Sequence, residues 1–227
     1  MPKIADNVSA VRERIAAAAA KAARDAGEVV LVAVAKTRPA ADVRAAVAAG
    51  VEVIGENRVQ EAEPKIAELA GVDCTWHMVG HIQRNKAARA VRLFDMIESL
   101  DSPRLADALD RRAEAEGKRV SVLIEVNASG EDAKFGISPE GAEDFAGYVA
   151  GRRNLSPEGL MTVGPLGGGP GATAEAFRML RRLFENVAPL LGPSFRYLSM
   201  GMTDDFELAI EEGSNMVRVG RAIFGER

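Results

Sequence analysis

Eight short strand-like segments recur along this chain, the first of them a continuous apolar run rich in β-branched side chains, separated by stretches whose apolar residues fall at helical spacing. That alternation limits the fold more than any other feature. The segments lie at 28–35, 51–54, 74–79, 94–99, 119–126, 157–163, 195–199 and 216–219. A run that is apolar throughout, rather than at every second residue, suits a strand buried on both faces, as parallel strands are. Helices are expected at 7–26, from Pro39 to Gly50, and at 56–69, 83–91, 102–116, 139–150, 173–191 and 206–212. Gly27 is placed to cap the first, and Ser102 with Pro103 to open the fifth. Strand and helix in steady alternation predict an α/β protein, a parallel sheet closed into a single (β/α)8 TIM barrel over residues 1–227 with the 7–26 helix packed on it. The Gly/Pro-rich stretch 164–171 falls between a strand and a helix, so it predicts a mobile βα loop rather than a domain boundary.

Several function classes drop out on composition. The 227 residues are 47% hydrophobic and 27% charged, which is the balance of a folded chain rather than a disordered one. A net charge of -4, with no run of five Lys/Arg, gives no pull toward nucleic acid or anionic lipid. Cys74 is the one cysteine, so neither an intrachain disulfide nor a thiol-based zinc site can form, in keeping with a reducing cytoplasm. Residues 1–7 are polar, and Arg12, Glu13, Arg14, Lys21 and Arg24 interrupt the Ala-rich stretch beyond them, unlike the uncharged core of a signal peptide. The longest uncharged apolar run, 29–35, is far short of the ~20 residues of a membrane helix. The expectation is a soluble cytoplasmic protein, with a monomer preferred.

In such a barrel the working residues stand at the C-terminal ends of the strands. Polar candidates there are Lys36, Thr37, Glu56, Asn57, His77, His81, Asn127, Thr162, Ser199 and Arg218. Lys36 directly follows seven apolar residues. A partly desolvated amine there would favour its neutral, nucleophilic form; the competing reading is a lysine that caps the strand and reaches water along its stem. The turns at 199–205 and 218–221 each follow a strand and carry glycine. They offer backbone N–H groups to an anion, or simply permit tight βα turns. His77 and His81 are four apart, but Gly80 and the preceding strand make a shared helical face improbable, so no metal site is expected. No Gly-x-Ser-x-Gly elbow or Ser/His/Asp order supports a hydrolase.

Five ordered blocks carry a resemblance: Ala33-Val-Ala-Lys-Thr-Arg-Pro39, Gly55-Glu-Asn-Arg-Val-Gln-Glu61, Trp76-His-Met-Val-Gly-His-Ile-Gln-Arg-Asn-Lys86, Ser199-Met-Gly-Met-Thr-Asp-Asp205 and Met216-Val-Arg-Val-Gly-Arg-Ala-Ile-Phe-Gly225. In order and spacing they resemble the pyridoxal phosphate homeostasis protein family. The resemblance implies a barrel related to the N-terminal domain of bacterial alanine racemases, with Lys36 holding pyridoxal 5′-phosphate (PLP) as a Schiff base. By the same carry-over Ser199 and the backbone at Gly220 and Arg221 hold the phosphate, Arg218 approaches the pyridine nitrogen, and Asn57 and Met202 lie near the ring. A cation beside that nitrogen disfavours its protonation and weakens the ring as an electron sink. The resemblance supplies no second domain and no partner-subunit tyrosine. It therefore implies a carrier or regulator in vitamin B6 homeostasis with little turnover, delivering PLP to PLP-dependent apoenzymes. An amino-acid racemase or decarboxylase on the same scaffold is the alternative, and a barrel mouth that docks another protein is a third. Two departures stand out: Arg221 occupies a position where a small hydroxyl residue is expected, and the 164–171 loop is poorer in polar residues than the resemblance suggests.

Overall fold

The computed structural model describes residues 4–131, 133–165, 167 and 169–226. Its strands are β1 (Val30–Val34), β2 (Val53–Glu56), β3 (Thr75–Met78), β4 (Met96–Leu100), β5 (Val120–Glu125), β6 (Leu155–Met161), β7 (Tyr197–Ser199) and β8 (Met216–Val219). Each pairs in parallel with the next. β8 pairs with β1 through Val30↔Met216 to Ala33↔Val219, so the sheet is a closed barrel. Around it run α1 (Ile4–Lys21), α2 (Ala40–Ala48), α3 (Val59–Glu68), α4 (Ala87–Leu93), α5 (Pro103–Ala115), α6 (Ala142–Ala150), α7 (Gly169–Leu191), α8 (Phe206–Glu211) and the short α9 (Arg221–Phe224). The chain thus forms the (β/α)8 barrel that the alternation predicts.

The two-sided burial of the strands explains their composition. Val32, Met96, Leu123, Met161 and Met216 meet inside the barrel, while Ala33, Ile97, Ile124, Leu160 and Val217 face the larger core between barrel and helices. Both sets come from the same strands by the two-residue alternation of a pleated sheet. α1 turns Val8, Val11, Ile15, Ala18 and Ala19 inward and packs on α2, α8 and α9, covering the β8–β1 seam.

Element ends differ from the sequence reading where distant contacts decide them. α1 stops at Lys21 rather than 26, because Arg24 reaches the carbonyls of Ile210 (3.1 Å) and Ser214 (2.7 Å) and turns the chain. Gly27 then sits in a short 3₁₀ turn, its N–H held by Asp25 (2.9 Å), instead of capping the helix. α7 starts at Gly169, inside the stretch read as a loop, and α9 has no counterpart in the sequence reading. Leu166 and Gly168 of that stretch lie outside the described residues. Ser102 does open α5, accepting from Leu105 N with Pro103 in the first turn. Among the described residues no helix is long and apolar enough to cross a membrane.

Candidate functional site

Lys36 stands two residues beyond Val34, the end of β1. Val30, Val32 and Val34 alternate toward the barrel interior, and Lys36 continues that side of the strand. Ala35 N still donates to Gly55 O (2.9 Å), while Ala35 O accepts from Arg38 N (3.1 Å), closing a turn with Lys36 and Thr37 at its centre. Thr37 takes φ 62°, a left-handed conformation that is a genuine outlier for a β-branched residue. Across the seam, Gly220 precedes α9, and a Cβ there would lie 3.2 Å from Val34 O, so glycine lets the two backbones close up. Lys36, Thr37, Gly220 and Arg221 line one pocket. The first amides of α9, on Arg221 and Ala222, have no helical carbonyl within reach and are donors suited to an anion.

Behind this pocket the barrel holds a buried polar network. His77 Nδ1 lies 2.8 Å from Glu98 Oε1, Ser199 Oγ donates to Glu98 Oε2 (2.7 Å), and Arg218 donates to Ser199 Oγ and, at 2.7 Å, to Thr162 O. Arg218 also stands 3.8 Å from Glu98 Oε2. Neighbouring strands thereby fix one guanidinium. Burial pushes the Glu98 carboxyl up, but His77, Arg218 and Ser199 outweigh it and hold the group below its ordinary range. Burial lowers the Arg218 pKa against the pull of Glu98, Glu125 and Asp205, and a guanidinium remains charged regardless. Glu125 ends β5 with Oε2 buried and without a hydrogen-bond partner; burial, then Asp101, push its carboxyl up to about 7 against the opposing field of Arg218.

The remaining predicted residues spread around the mouth. Asn57 is half-buried beside Gly80, where a Cβ would come within 2.4 Å of Asn57 O, and it lines a neighbouring pocket with His81. Met202 is exposed in the turn after β7, its N–H held by Asp205 Oδ1 (2.6 Å), and it lines a pocket with Gly164, Pro165 and Thr173 rather than with Lys36. Ser199 is fully buried, its hydroxyl shared between Glu98 and Arg218. The Arg221 guanidinium binds Asp204 and Glu226, leaving its backbone at the pocket. His81 pairs with Asp101 (2.8 Å) and stacks on Phe135, with ring centroids 3.8 Å apart. Sequence reasoning missed Glu98 and Glu125. Their signal was a carboxylate on the inward side of an apolar strand, at 98 within β4 and at 125 closing β5.

Lys36 shares its pocket with Gly220 and Arg221, and Arg218, two residues before Gly220, is held inside the barrel by Ser199 and Thr162. Fold and site define a barrel of the alanine racemase N-terminal-domain class, and the family model of that description, "Alanine racemase, N-terminal domain", matches residues 7–227. The chain belongs to the pyridoxal phosphate homeostasis protein family within that class. It is 42% identical to the pyridoxal phosphate homeostasis protein of Pseudomonas aeruginosa, over 100% of this chain and 97% of the relative. PipY of Synechococcus elongatus PCC7942, solved with PLP bound, superposes with a TM-score of 0.85 at 35% identity, covering 98% of this chain and 100% of that one. Alanine racemase from Corynebacterium glutamicum shares the fold alone: 18% identity and a TM-score of 0.73, over 99% of this chain and 61% of that chain.

Proposed function

We propose that the protein binds PLP covalently at Lys36 and serves PLP homeostasis as a carrier without turnover of its own. The observation that carries this reading is that Lys36, just after β1, and Gly220 and Arg221, after β8, line one pocket. When bound, PLP supplies an aldehyde carbon that joins a primary amine with loss of one water. The Lys36 Nζ provides the amine, the first α9 amides receive the phosphate, and Arg218 meets the pyridine nitrogen. Ser199 acts by holding Arg218, while Asn57 and Met202 stand farther out at the mouth, lining pockets other than that of Lys36.

Absence of turnover is argued from Arg218. Its cation is buried, fixed by Ser199 and Thr162, and cannot give up a proton at working pH. A fixed cation beside the pyridine nitrogen opposes protonation there and weakens the electron sink on which racemases and decarboxylases of this chemistry draw. The whole chain then works as one PLP-binding barrel domain, a cytoplasmic monomer whose partners are PLP and the apoenzymes that receive it. PipY, solved with PLP bound, and relatives named for PLP homeostasis support the reading.

Absorbance tests it. Protein mixed with PLP is expected to develop a visible band, lost in Lys36→Ala, and borohydride reduction is expected to leave one PLP mass on the Lys36 peptide. A band that survives Lys36→Ala overturns the lysine assignment. Incubation with single amino acids in deuterated water is expected to give no α-proton exchange; exchange with any of them would make the protein an enzyme.

A further inference from the structure

Between β2 and α3, on the helix side of the sheet, lies a buried ion pair separate from the network around Glu98 and Arg218. Lys65, on α3, is 8% exposed and Glu56, the last residue of β2, is 0% exposed; the two are in direct contact. Glu56 Oε2 has no hydrogen-bond partner, and burial raises the carboxyl pKa even against Lys65. A buried pair with one oxygen unsatisfied is a poor stabiliser, since packed apolar side chains of similar volume usually serve a core as well or better. Its position suggests another use. Lys65 Nζ also donates to Ala35 O at 2.8 Å, the carbonyl that Arg38 N closes upon. That carbonyl immediately precedes Lys36, and Thr37, immediately after it, is held left-handed at φ 62°.

We infer that Lys65, oriented by Glu56, is a positioning residue for Lys36: it pins the Ala35 carbonyl and so keeps the strained Lys36–Thr37 turn in the geometry that aims the amine into the pocket. The inference rests on the reading of Lys36 as the PLP-binding lysine. A turn with a β-branched residue in the left-handed region relaxes unless its surroundings over-determine it. Here one carbonyl accepts two donors, one from the turn and one from a cation anchored on a different helix. The pair thereby couples α3 to the reactive end of β1 across the strand, without touching the pocket itself.

The test replaces the pair by apolar residues, Glu56→Leu with Lys65→Met, so that no buried charge is stranded. PLP affinity is read from the visible band and stability from the thermal midpoint. Loss of one charge-assisted hydrogen bond at the turn predicts about tenfold weaker PLP binding in the double variant. Adding Thr37→Gly, which makes the left-handed position free of strain, is expected to restore most of that affinity. A purely structural pair would move the midpoint and leave affinity unchanged, or would lose affinity that Thr37→Gly does not recover, and either result overturns the inference. If the double variant does not fold, Glu56→Gln alone decides: binding weakened about threefold supports the inference, and unchanged binding sinks it. Wild-type protein that develops no band with PLP would instead sink the reading of Lys36, a distinct outcome.

Discussion

Burial, more than any neighbouring charge, sets the behaviour of Glu125. Its carboxyl ionises near 7 in the folded chain against 4.5 as the reference for an unfolded one. Between those pH values the folded state keeps a proton that the unfolded state has released, so this contribution to stability is complete below 4.5 and is lost as pH rises through 7. Glu125→Gln is therefore expected to stabilise the protein at pH 8 by up to ~3 kcal/mol and to change it little at pH 4.5. Thermal unfolding at both pH values checks this, and an equal gain at both contradicts it. Glu98 has the opposite sign: its lowered pKa stabilises above 4.5, and that stabilisation disappears as pH falls through the depressed value. Glu98→Ala strands His77, Ser199 and Arg218 inside the barrel and is expected to cost about 3–5 kcal/mol at pH 7, read from urea unfolding. Lys36 was legible in sequence because it breaks an apolar run at a strand end. Glu98 was not, since its partners Ser199 and Arg218 arrive from β7 and β8 and nothing local announces them.

At the scale of elements, the turn between β7 and α8 depends on one glycine. Gly201 has φ +94°, and a Cβ there would lie 2.6 Å from Ala209 Cβ and 2.8 Å from Phe206 Cα, inside the first turns of α8. Its carbonyl accepts from Arg218 N at 3.0 Å, so displacing the turn also displaces the strand that carries Arg218. Gly201→Ala is expected to cost at least about 2 kcal/mol and to weaken PLP binding together with stability. A urea titration and a PLP titration on the same variant check it; a variant with wild-type values in both would show that α8 shifts without consequence. Among the described residues, all eight strands and eight of the nine α-helices were legible because two-sided burial writes an apolar run and helix packing writes a 3.6-residue repeat. Their ends were less so. Arg24 ends α1 by binding carbonyls near residue 210, and α7 extends back through glycines that local propensity would leave in a loop.

For the molecule as a whole, closure of the barrel and assembly of the candidate site are the same event. Lys36 follows β1 and Gly220 follows β8, and they become neighbours only when the first and last strands pair. α1 is the clasp over that seam: Arg14 bonds Glu207 (2.7 Å), Asn7 donates to Ile223 O (2.8 Å), and its apolar stripe packs on α8 and α9. Sheet closure leaves no edge strand to fray independently, so unfolding is expected to be one cooperative transition in which barrel and site are lost together. Val11 is 1% exposed at the centre of the stripe. Val11→Asp places an unpaired carboxylate there and is expected to cost about 3–5 kcal/mol, although position 11 is far from Lys36 in sequence and outside its pocket. The measurement is urea unfolding followed at once by circular dichroism and by the PLP band. Both probes are expected to shift to the same lower midpoint with an unchanged slope. A band that disappears before the helices melt would mean that the seam opens on its own, with the β1–β8 join a separable part of the barrel.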